Sequence, residues 1–350
     1  MMNKEIISQD VNDIINSCQD LMTLKNKAIL ITGASGFIPA YMVETIAVLN
    51  KNHGLNIKVY ALVRNEIKAK KRFSHLLNTS WLNFICQDVT EEIKIDATIN
   101  YIIHAASQAS PKYYKTDPVG TLLANTKGTY NILEFARRNI HSIEGVLFFS
   151  SAEVYGDLNK DIQYVSENDF GSLDCSELRA CYAESKRMGE TMCISWGEQY
   201  SVPCKIVRIF HTYGPGMALN DGRVFADFVS CAVKGENIDM KSDGLAIRAF
   251  CYLSDTVHAI FKVLLCGHIG QSYNVGNENC EINIRDLAFL VNKLSINNNS
   301  KVIISNSDNN YILSKVNRII PDTTKLRSLG WEPKYDVISG YKRTIKFYLE

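Results

Sequence analysis

Two side chains that could move a proton stand four residues apart: Tyr182 and Lys186 in the segment CYAESK. On a helix this spacing places both side chains on one face. A tyrosine hydroxyl has an ordinary pKa of about 10, and lowering it by roughly three units with a nearby ammonium needs about 4 kcal/mol. Ser151 ends the apolar segment GVLFFSS, where its hydroxyl could bridge Tyr182 and a substrate oxygen. These three residues predict general acid–base chemistry on a substrate oxygen.

A glycine-containing loop between an apolar run and a helical pattern predicts a dinucleotide phosphate site. The segment AILIT leads into a loop in which we expect Gly33, Ser35, Gly36, Phe37 and Ile38 to bind the cofactor. The first glycine permits a tight turn, the second lets a pyrophosphate approach the backbone, and the helix N-terminus offers N–H groups to the anion. The spacing here is Gly-x-x-Gly-x-x-Pro, which lacks the usual third glycine. A plain strand–turn–helix junction is the alternative interpretation.

The end of the second predicted strand bears on the choice between NAD and NADP. NAD sites commonly place Asp or Glu there for the ribose hydroxyls, whereas Arg can pair with the 2′-phosphate of NADP. The segment VYALVRN ends in Arg64 and Asn65, which slightly favours NADP, although Arg64 could also stack on adenine or face solvent. After the third strand come Asp88 and Val89, of which Asp88 could accept from the adenine amino group. The cofactor is therefore predicted to be NAD or NADP.

These residues need a scaffold that brings strand ends together, and the chain from Lys27 has the pattern of one. Short, fully apolar strands separated by helices are typical of a parallel sheet that is covered on both faces. The predicted strands are 28–32, 59–63, 82–89, 101–106, 145–151 and 205–210, and the predicted helices are about 37–50, 66–77 and 118–138. This predicts a doubly wound α/β fold.

The pattern also suggests a division of the chain into three parts. Residues 1–26 form a predicted N-terminal extension with a helix such as 10–22, whose function the sequence does not reveal. Residues 27–215 form the predicted dinucleotide-binding domain, with a return segment near 248–268. Residues 216–350, which are less regular, form mainly a smaller mixed α/β domain that binds the substrate.

Composition and charge argue against several other classes of protein. The 350 residues carry 38 Lys and Arg against 37 Asp and Glu, so the chain lacks the positive surplus of a nucleic-acid binder. No run reaches the roughly 18 apolar residues of a membrane helix, and the N-terminus lacks the apolar stretch of a signal peptide. The ten cysteines include no Cys-x-x-Cys pair and no zinc-type spacing with histidine. We expect a cytoplasmic protein with no metal, nucleic-acid partner or membrane partner.

Together these motifs make the chain resemble the extended short-chain dehydrogenases/reductases of the nucleotide-sugar epimerase/dehydratase family. The resemblance covers 27 to about 350 and rests on GASGFI, HAAS, NTKGT, SSAEVYG, YAESK, RIFHTYGPGM, NDGRVFADF, RAFCYLSD, YNVGN and LGWEP. Within the family, RACYAESKR, NDGRV and IRAFCYLSD most resemble the UDP-glucuronate decarboxylases, also called UDP-xylose synthases. The resemblance implies a Rossmann core, a nicotinamide cofactor, a C-terminal domain for a nucleotide-sugar substrate, and a homodimer.

The resemblance also implies roles for particular residues. Tyr182 would take the proton of the sugar 4-hydroxyl while hydride leaves C4, and Ser151 would steady the developing charge on oxygen. The implied cofactor contacts in the later motifs are Ala105, Ala106, Ser107, Asn125 and Lys186. The implied substrate contacts are Ser107, His211, Arg223 and Arg248, where Arg248 matches an arginine near the carboxylate in decarboxylases and His211 replaces the usual Asn.

Position 152 and its neighbour Glu153 leave the outcome of the reaction open. In 4,6-dehydratases the corresponding pair is Asp-Glu and in decarboxylases it is usually Ser-Glu, whereas 4-epimerases of the galactose type generally have no acid there. This chain has Ala152 and Glu153, which departs from each pattern. Overall similarity favours decarboxylation of a UDP-glucuronate-type sugar, followed by 4-epimerisation or 4-keto reduction and then by 4,6-dehydration. A non-catalytic, NADP-binding sensor is the remaining alternative, because fold does not fix function.

Overall fold

The computed structural model describes residues 5–159, 161–305 and 317–350. In chain order its first elements are α1 (Glu5–Ser17), β1 (Ala28–Thr32), α2 (Phe37–His53), β2 (Lys58–Val63), α3 (Glu66–Arg72), β3 (Leu82–Cys86), β4 (Tyr101–His104), α4 (Pro111–Thr116), α5 (Pro118–Asn125), α6 (Lys127–Arg138), β5 (Gly145–Ser151), α7 (Ala180–Tyr200) and β6 (Cys204–Ile209). The later elements are β7 (His211–Tyr213), α8 (Val224–Lys234), β8 (Ile238–Met240), β9 (Ile247–Tyr252), α9 (Leu253–Cys266), β10 (Ser272–Val275), β11 (Glu281–Asn283), α10 (Ile284–Lys293), β12 (Val302–Ile304), β13 (Arg318–Ile319), α11 (Thr324–Arg327) and α12 (Val337–Leu349).

Seven strands form one sheet in the order β10-β6-β5-β4-β1-β2-β3, and the neighbouring strands are all parallel. The residues of β1 are all buried and alternate between the two faces of the sheet. Ile29 and Ile31 join one apolar cluster, which includes residues of α2 and α9. Ala28 and Leu30 join another, which includes residues of α6 and β6. The predicted doubly wound α/β fold is therefore confirmed.

The carboxyl ends of the three central strands lie side by side. Thr32 at the end of β1 pairs with His104 at the end of β4, and His104 pairs with Phe148 of β5. Because parallel strands point the same way, the turns that follow β1, β4 and β5 meet at one edge of the sheet. In open α/β sheets this edge is where ligands bind.

Four helical predictions differ from the structure in their bounds. The predicted helix 37–50 continues to His53 in α2, and the predicted helix 66–77 is α3 at Glu66–Arg72 followed by a 3₁₀ segment at Ser74–Leu76. The predicted helix 118–138 is divided into α5 and α6 at Thr126, whose hydroxyl donates to the carbonyl of Leu122 at 2.7 Å. Such a bond to the preceding turn bends a helix. The predicted helix 10–22 is α1 at Glu5–Ser17 followed by a 3₁₀ segment at Gln19–Leu24. The helix begins five residues earlier than predicted, at Glu5. Asp10, where the predicted helix begins, lies instead within α1 on its buried face.

The C-terminal part of the chain builds a second group of strands around β9. Strand β9 pairs with β11 in antiparallel fashion and with β7 and β13 in parallel, and β8 pairs with β12. Helices α8, α10 and α12 contribute a third apolar cluster against β9. Strand β10 returns to the edge of the seven-stranded sheet beside β6. Nowhere in the described ranges is there a helix with the length and apolar character needed to cross a membrane.

Candidate active site

The turn between β1 and α2 passes very close to the backbone that follows β4. Gly33 has a φ of +64°, and a Cβ built there would lie 3.0 Å from the Cα of Ala106. Gly36 donates its amide to the carbonyl of Gly33 at 2.7 Å, and a Cβ on Gly36 would lie 2.9 Å from that oxygen. The turn therefore excludes side chains at both glycines. It presents the first turn of α2, beginning at Phe37 and Ile38, whose N–H groups have no partners within the helix.

A buried threonine holds the second wall of this turn in place. The hydroxyl oxygen of Thr32 accepts the amides of Ala105 at 3.1 Å and Ala106 at 3.0 Å. The same oxygen lies 2.8 Å from Nδ1 of His104, and burial lowers the pKa of His104 to about 3, so this ring is neutral and structural. The next side chain, Ser107, has a buried hydroxyl without a hydrogen-bond partner among the described residues. Ser107 is thus free to bind a ligand at the edge of the sheet.

The predicted adenosine-binding residues lie at the ends of β2 and β3. The Nη1 atom of Arg64 is 4.0 Å from Oδ2 of Asp88, while Oδ1 of Asp88 accepts the amide of Thr90 at 2.9 Å. Val89 is buried beside them. A hydrogen bond from Gln108 lowers the pKa of Asp117, and the positive charge of Arg64 contributes to that lowering. Arg64 therefore has two carboxylates in its vicinity.

The structure brings Ser151, Tyr182 and Lys186 together at the end of β5. Tyr182 and Lys186 are buried on α7, and Lys186 donates from Nζ to the carbonyl of Phe149 at 2.6 Å. The Lys186 Nζ lies 5.8 Å from the centre of the Tyr182 ring. Ser151 is the last residue of β5, and its hydroxyl forms a hydrogen bond with Tyr182 that lowers the pKa of the tyrosine. This arrangement can move a proton at a substrate oxygen bound beside Ser151.

Burial opposes ionisation of both members of the Tyr–Lys pair. It raises the pKa of Tyr182 to about 12, an effect that Ser151 and Arg223 reduce and Glu153 increases. Burial likewise lowers the pKa of Lys186 to about 7, against the negative charge of Glu190. The chain by itself thus keeps Tyr182 as a phenol at neutral pH. A further positive charge beside the ring would be needed to favour the phenolate.

Asn125 supports this pair from the end of α5. Its Nδ2 donates to the hydroxyl of Ser185 at 2.9 Å, and Ser185 donates to the carbonyl of Tyr182 at 2.9 Å. The Oδ1 atom of Asn125 is buried and has no hydrogen-bond partner among the described residues. Asn125 therefore packs behind α7 and retains an unused acceptor.

The sequence did not reveal two neighbours of Tyr182. The ring of Tyr114 in α4 stacks on the ring of Tyr182, with centroids 4.9 Å apart and planes inclined by 19°. Arg179 donates from Nη2 to Oε1 of Glu153 at 3.1 Å, so the two side chains form an ion pair. Arg179 precedes Tyr182 by about one helical turn, a spacing that could have indicated it. Tyr114 carries no comparable signal, because α4 and α7 are far apart in sequence.

Three of the four predicted substrate contacts, His211, Arg223 and Arg248, lie near one another, and the two arginines give this side of the site positive charge. Burial lowers the pKa of His211 to about 3, and Arg248 and Arg223 lower it further, so its ring is neutral between two guanidinium groups. Arg223 donates from Nε to Asp221 at 2.7 Å, and its charge also lowers the pKa of Tyr182. Arg248 is buried, and its Nη1 donates to the carbonyl of Ile247 at 2.8 Å. An anionic substrate would be favoured here.

Comparison with known families is decisive for the class of protein. The model of the NAD dependent epimerase/dehydratase family matches residues 29–276. The chain belongs to this family. Two relatives are UDP-glucuronic acid decarboxylase 5 of Arabidopsis thaliana, 34% identical over 90% of this chain and 87% of the relative, and UDP-glucuronic acid decarboxylase 1 of Xenopus tropicalis, 33% identical over 92% and 72%. The predicted membership and enzymatic class are confirmed.

Solved structures of epimerases have the same fold. UDP-glucose 4-epimerase from Thermotoga maritima aligns with a TM-score of 0.78 at 21% identity, covering 92% of this chain and 98% of that one. UDP-glucuronic acid 4-epimerase from Bacillus cereus, in complex with UDP-glucuronic acid and NAD, aligns with a TM-score of 0.75 at 20% identity, over 92% and 98%. At these identities the likeness establishes the fold and does not choose between activities.

The family's nicotinamide dinucleotide fits the residues that this chain presents. Gly33 and Gly36 leave the close approach that a pyrophosphate needs, and the N-terminus of α2 faces it. Ser107 and Asn125 supply two of the buried polar atoms that lack a hydrogen-bond partner in the described part of the chain. When bound, such a cofactor supplies a hydride acceptor and, in its oxidised form, a positive charge.

Proposed function

We propose that this chain decarboxylates a UDP-hexuronic acid such as UDP-glucuronic acid, with transient oxidation at C4 of the sugar. The observation that carries the proposal is the set of guanidinium groups around the acid–base pair. The charge of Arg223 acts on Tyr182, and the charges of Arg179 and Arg223 both act on the stacked Tyr114. Arg179 is paired with Glu153 and Arg223 with Asp221, and a substrate carboxylate could accept further hydrogen bonds from these guanidinium groups, whereas a neutral hexose would gain no charge-assisted bond from them. The names of the two relatives, one from a plant and one from a frog, support the same reaction.

The roles of the residues follow from their positions. Tyr182 removes the proton of the sugar 4-hydroxyl as hydride leaves C4, and Lys186 stabilises the phenolate. Ser151 donates a hydrogen bond to the substrate oxygen. The resulting C4 ketone lies β to the carboxylate, so the electrons of the C5–C6 bond can move into an enolate as carbon dioxide departs. Ser151 and protonated Tyr182 then stabilise the enolate oxygen until C5 is reprotonated and hydride returns to C4.

A uronate 4-epimerase is the second candidate, and position 152 favours it. Ala152 is a buried apolar residue, so it cannot supply the hydroxyl that decarboxylases usually place beside the acid. It also cannot protonate a leaving hydroxyl, which disfavours 4,6-dehydration. A pure NADP sensor would have no physical need for Ser151, Tyr182 and Lys186 in contact. The epimerase alternative uses the same C4 ketone but keeps the carboxylate.

The deciding experiment is incubation of the purified protein with UDP-glucuronic acid and NAD, followed by mass spectrometry and NMR of the product. We expect release of carbon dioxide and formation of a UDP-pentose. UDP-glucose, which lacks the carboxylate, is the matched control and should remain unchanged. A product of unchanged mass from UDP-glucuronic acid would replace decarboxylation by epimerisation, and no product from any nucleotide sugar would exclude both.

We propose NAD rather than NADP as the cofactor, which reverses the slight preference that Arg64 gave. In the structure Arg64 is 4.0 Å from the carboxylate of Asp88, and its charge also acts on Asp117. Two nearby carboxylates would repel a 2′-phosphate and compete with it for Arg64. A cofactor that is reduced and reoxidised within one turnover also has no need to be NADP. The product assay, repeated with NADP in place of NAD, should give a lower rate.

Changing Glu153 to Gln should lower the rate of decarboxylation by about 100-fold, because a positioned acid–base group contributes that much or more. We assign Glu153 to proton movement near C5, with Arg179 holding its carboxylate at 3.1 Å. The ion pair is half-exposed, so its loss should change the free energy of unfolding by less than about 1 kcal/mol. Rates from the product assay and a urea unfolding curve measure the two effects.

The control for this variant is Glu184→Gln. Glu184 lies on α7 and, like Glu153, pairs with an arginine, in its case Arg187 at 3.7 Å, so the change in charge is the same. It should leave the rate within about twofold. If Glu153→Gln behaves like Glu184→Gln, Glu153 only anchors Arg179, and the epimerase becomes the better assignment.

We also propose that the chain forms a homodimer through α5 and α7. Helices α5 and α7 pack against each other. Even so, α5 exposes the side chains of Val119, Leu122 and Leu123, and α7 exposes that of Met188. Contiguous exposed apolar side chains favour association. Light scattering should give the mass of two chains for the native protein and of one chain for Leu123→Glu. Ile269→Glu, which changes a more exposed apolar residue outside these helices, should remain a dimer; a monomeric native protein would overturn the proposal.

A further inference from the structure

A largely buried carboxylate lies one helical turn after Lys186. Glu190 follows Lys186 by four residues on α7, and its side chain is only 13% exposed. Ser150, the residue before Ser151 on β5, donates its hydroxyl to Oε1 of Glu190 at 2.5 Å. Glu190 thus links α7, which carries Tyr182 and Lys186, to β5, which carries Ser151.

An arginine on the neighbouring strand fixes this carboxylate from the other side. Arg208 of β6 donates from Nε to Oε1 at 3.0 Å and from Nη2 to Oε2 at 2.7 Å, a bidentate arrangement. The same guanidinium donates from Nη1 to the hydroxyl of Tyr155 at 3.1 Å and to the carbonyl of Glu167 at 2.9 Å. With so many fixed partners, the position of Glu190 is set before any substrate binds.

We propose that Glu190 is a positioning residue for Lys186: its largely buried carboxylate, anchored by Ser150 and Arg208, keeps the lysine side chain in the charged ammonium form. This inference deepens the proposed function and rests on it, because the ammonium matters for the reaction only if Tyr182 is the base. The proposal stands on the place of Glu190 on the same helix as Lys186. It is supported by the electrostatic effect, since the negative charge of Glu190 raises the pKa that burial lowers.

Lys186 is buried, so ions from the solvent cannot take the place of the Glu190 carboxylate beside it. The titratable or charged groups that face the pair from the surrounding elements are His104 on β4, Tyr155 after β5, Tyr182 and Cys193 on α7, and Cys204 and Arg208 on β6. Among these, His104 is neutral at neutral pH, and the thiol of Cys193 is held neutral because its pKa is raised. Glu190 is therefore the negative charge that can hold Lys186 protonated.

The test is a direct titration of Lys186 by NMR. The ¹³Cε resonances of lysine-labelled protein are followed from pH 5 to 10, and the Lys186 signal is assigned from its loss in Lys186→Met. We expect its midpoint to move down by about one pH unit in Glu190→Gln, because a nearby charge shifts a buried group by that order. An unchanged midpoint in folded Glu190→Gln would overturn the proposal.

Two controls separate charge from packing. Ser150→Ala removes one hydrogen bond but keeps the carboxylate, so the Lys186 midpoint should stay near its native value even if stability falls. Glu198→Gln removes an exposed carboxylate from the same helix and should likewise leave the midpoint unchanged. A midpoint that moves as much in Ser150→Ala as in Glu190→Gln would show a purely structural network and contradict the proposal.

Glu190→Gln leaves Arg208 buried without its counter-charge, which can destabilise a protein severely. If that variant does not fold, Glu190→Gln combined with Arg208→Gln replaces both ends of the ion pair by neutral amides. The midpoint should again fall, by a smaller amount, because two opposite charges are lost. An unchanged or higher midpoint in the double variant would exclude Glu190 as the source of the effect.

The NMR titration uses no substrate, so it decides the role of Glu190 even if UDP-glucuronic acid is not turned over. Where turnover is found, Glu190→Gln should also move the acidic limb of the pH–rate profile to higher pH. The reason is that a less charged Lys186 stabilises the Tyr182 phenolate less well. A shifted NMR midpoint with no turnover would reject the proposed function alone, and turnover with an unshifted midpoint would reject only the role of Glu190.

Discussion

Tyr182→Phe should lower turnover of UDP-glucuronic acid by about 1,000-fold or more while the fold and the binding of NAD remain. The change removes the one hydroxyl that can take the proton of the sugar 4-hydroxyl, and general base catalysis of this kind contributes about 100- to 10,000-fold. The aromatic ring stays, so its stacking on Tyr114 at 4.9 Å is kept. Only the hydrogen bond with Ser151 is lost, which costs about 1 kcal/mol.

The measurement compares product formation with NAD affinity in the same preparation. Isothermal titration calorimetry with NAD should give a dissociation constant within a few-fold of the native value. The glycine turn expected to bind the cofactor lies between β1 and α2, and the substitution on α7 does not change it. Tyr101→Phe is the matched control: it also removes a tyrosine hydroxyl, one that donates to Glu144 at 2.9 Å from the opposite end of β4. Turnover retained in Tyr182→Phe would remove oxidation at C4 from the proposed mechanism.

The sequence could predict the sheet and the proximity of Tyr182 and Lys186 because both are encoded locally. Strands β1 and β5 have the bounds that their apolar runs indicate, since a strand buried on both faces must be apolar throughout. Tyr182 and Lys186 could be paired because a spacing of four residues fixes their relation on any helix. Glu190 continues the same spacing, so the sequence also contained its signal.

The neighbours of the pair could not be predicted, because they depend on contacts between distant segments. Tyr114 lies in α4, far from α7 in the sequence, and its ring meets that of Tyr182 only in the folded chain. Arg208 meets Glu190 because β6 lies next to β5 in the sheet. A single sequence carries no periodic signal for such meetings. The spacing of Arg179 from Tyr182 could have indicated that residue, but not its ion pair with Glu153, which joins two separate segments.

The N-terminal segment is the clearest example of a role that the sequence conceals. Asp10 lies in a polar stretch, yet in the structure it is fully buried among aromatic and basic side chains from three other elements. Its Oδ2 accepts the hydroxyls of Tyr41 in α2 and Tyr252 in β9, each at 2.8 Å. Its Oδ1 accepts from Nη2 of Arg343 in α12 at 2.5 Å. Helix α1 thereby joins the cofactor-binding side of the fold to the C-terminal helix.

Asp10→Ala should therefore lower the free energy of unfolding by about 3–5 kcal/mol, since it leaves a largely buried arginine without its counter-charge. Two tyrosine hydroxyls lose their acceptor in the same step, which adds to the loss. Urea unfolding monitored by tryptophan fluorescence measures it, and Asp20→Ala is the control. Asp20 lies in the same N-terminal segment but pairs with Lys262 at a partly exposed site, so about 1 kcal/mol or less is expected.

The comparison of these two variants decides what the N-terminal helix does for the enzyme. A large loss in Asp10→Ala with a small loss in Asp20→Ala would mean that Asp10 holds α2, β9 and α12 together through one carboxylate. The glycine turn opens α2 and Arg248 lies on β9, so both would then share a single anchor. Equal, small losses would mean that water reaches Arg343 once Asp10 is gone, and that the rest of the fold holds these elements without α1.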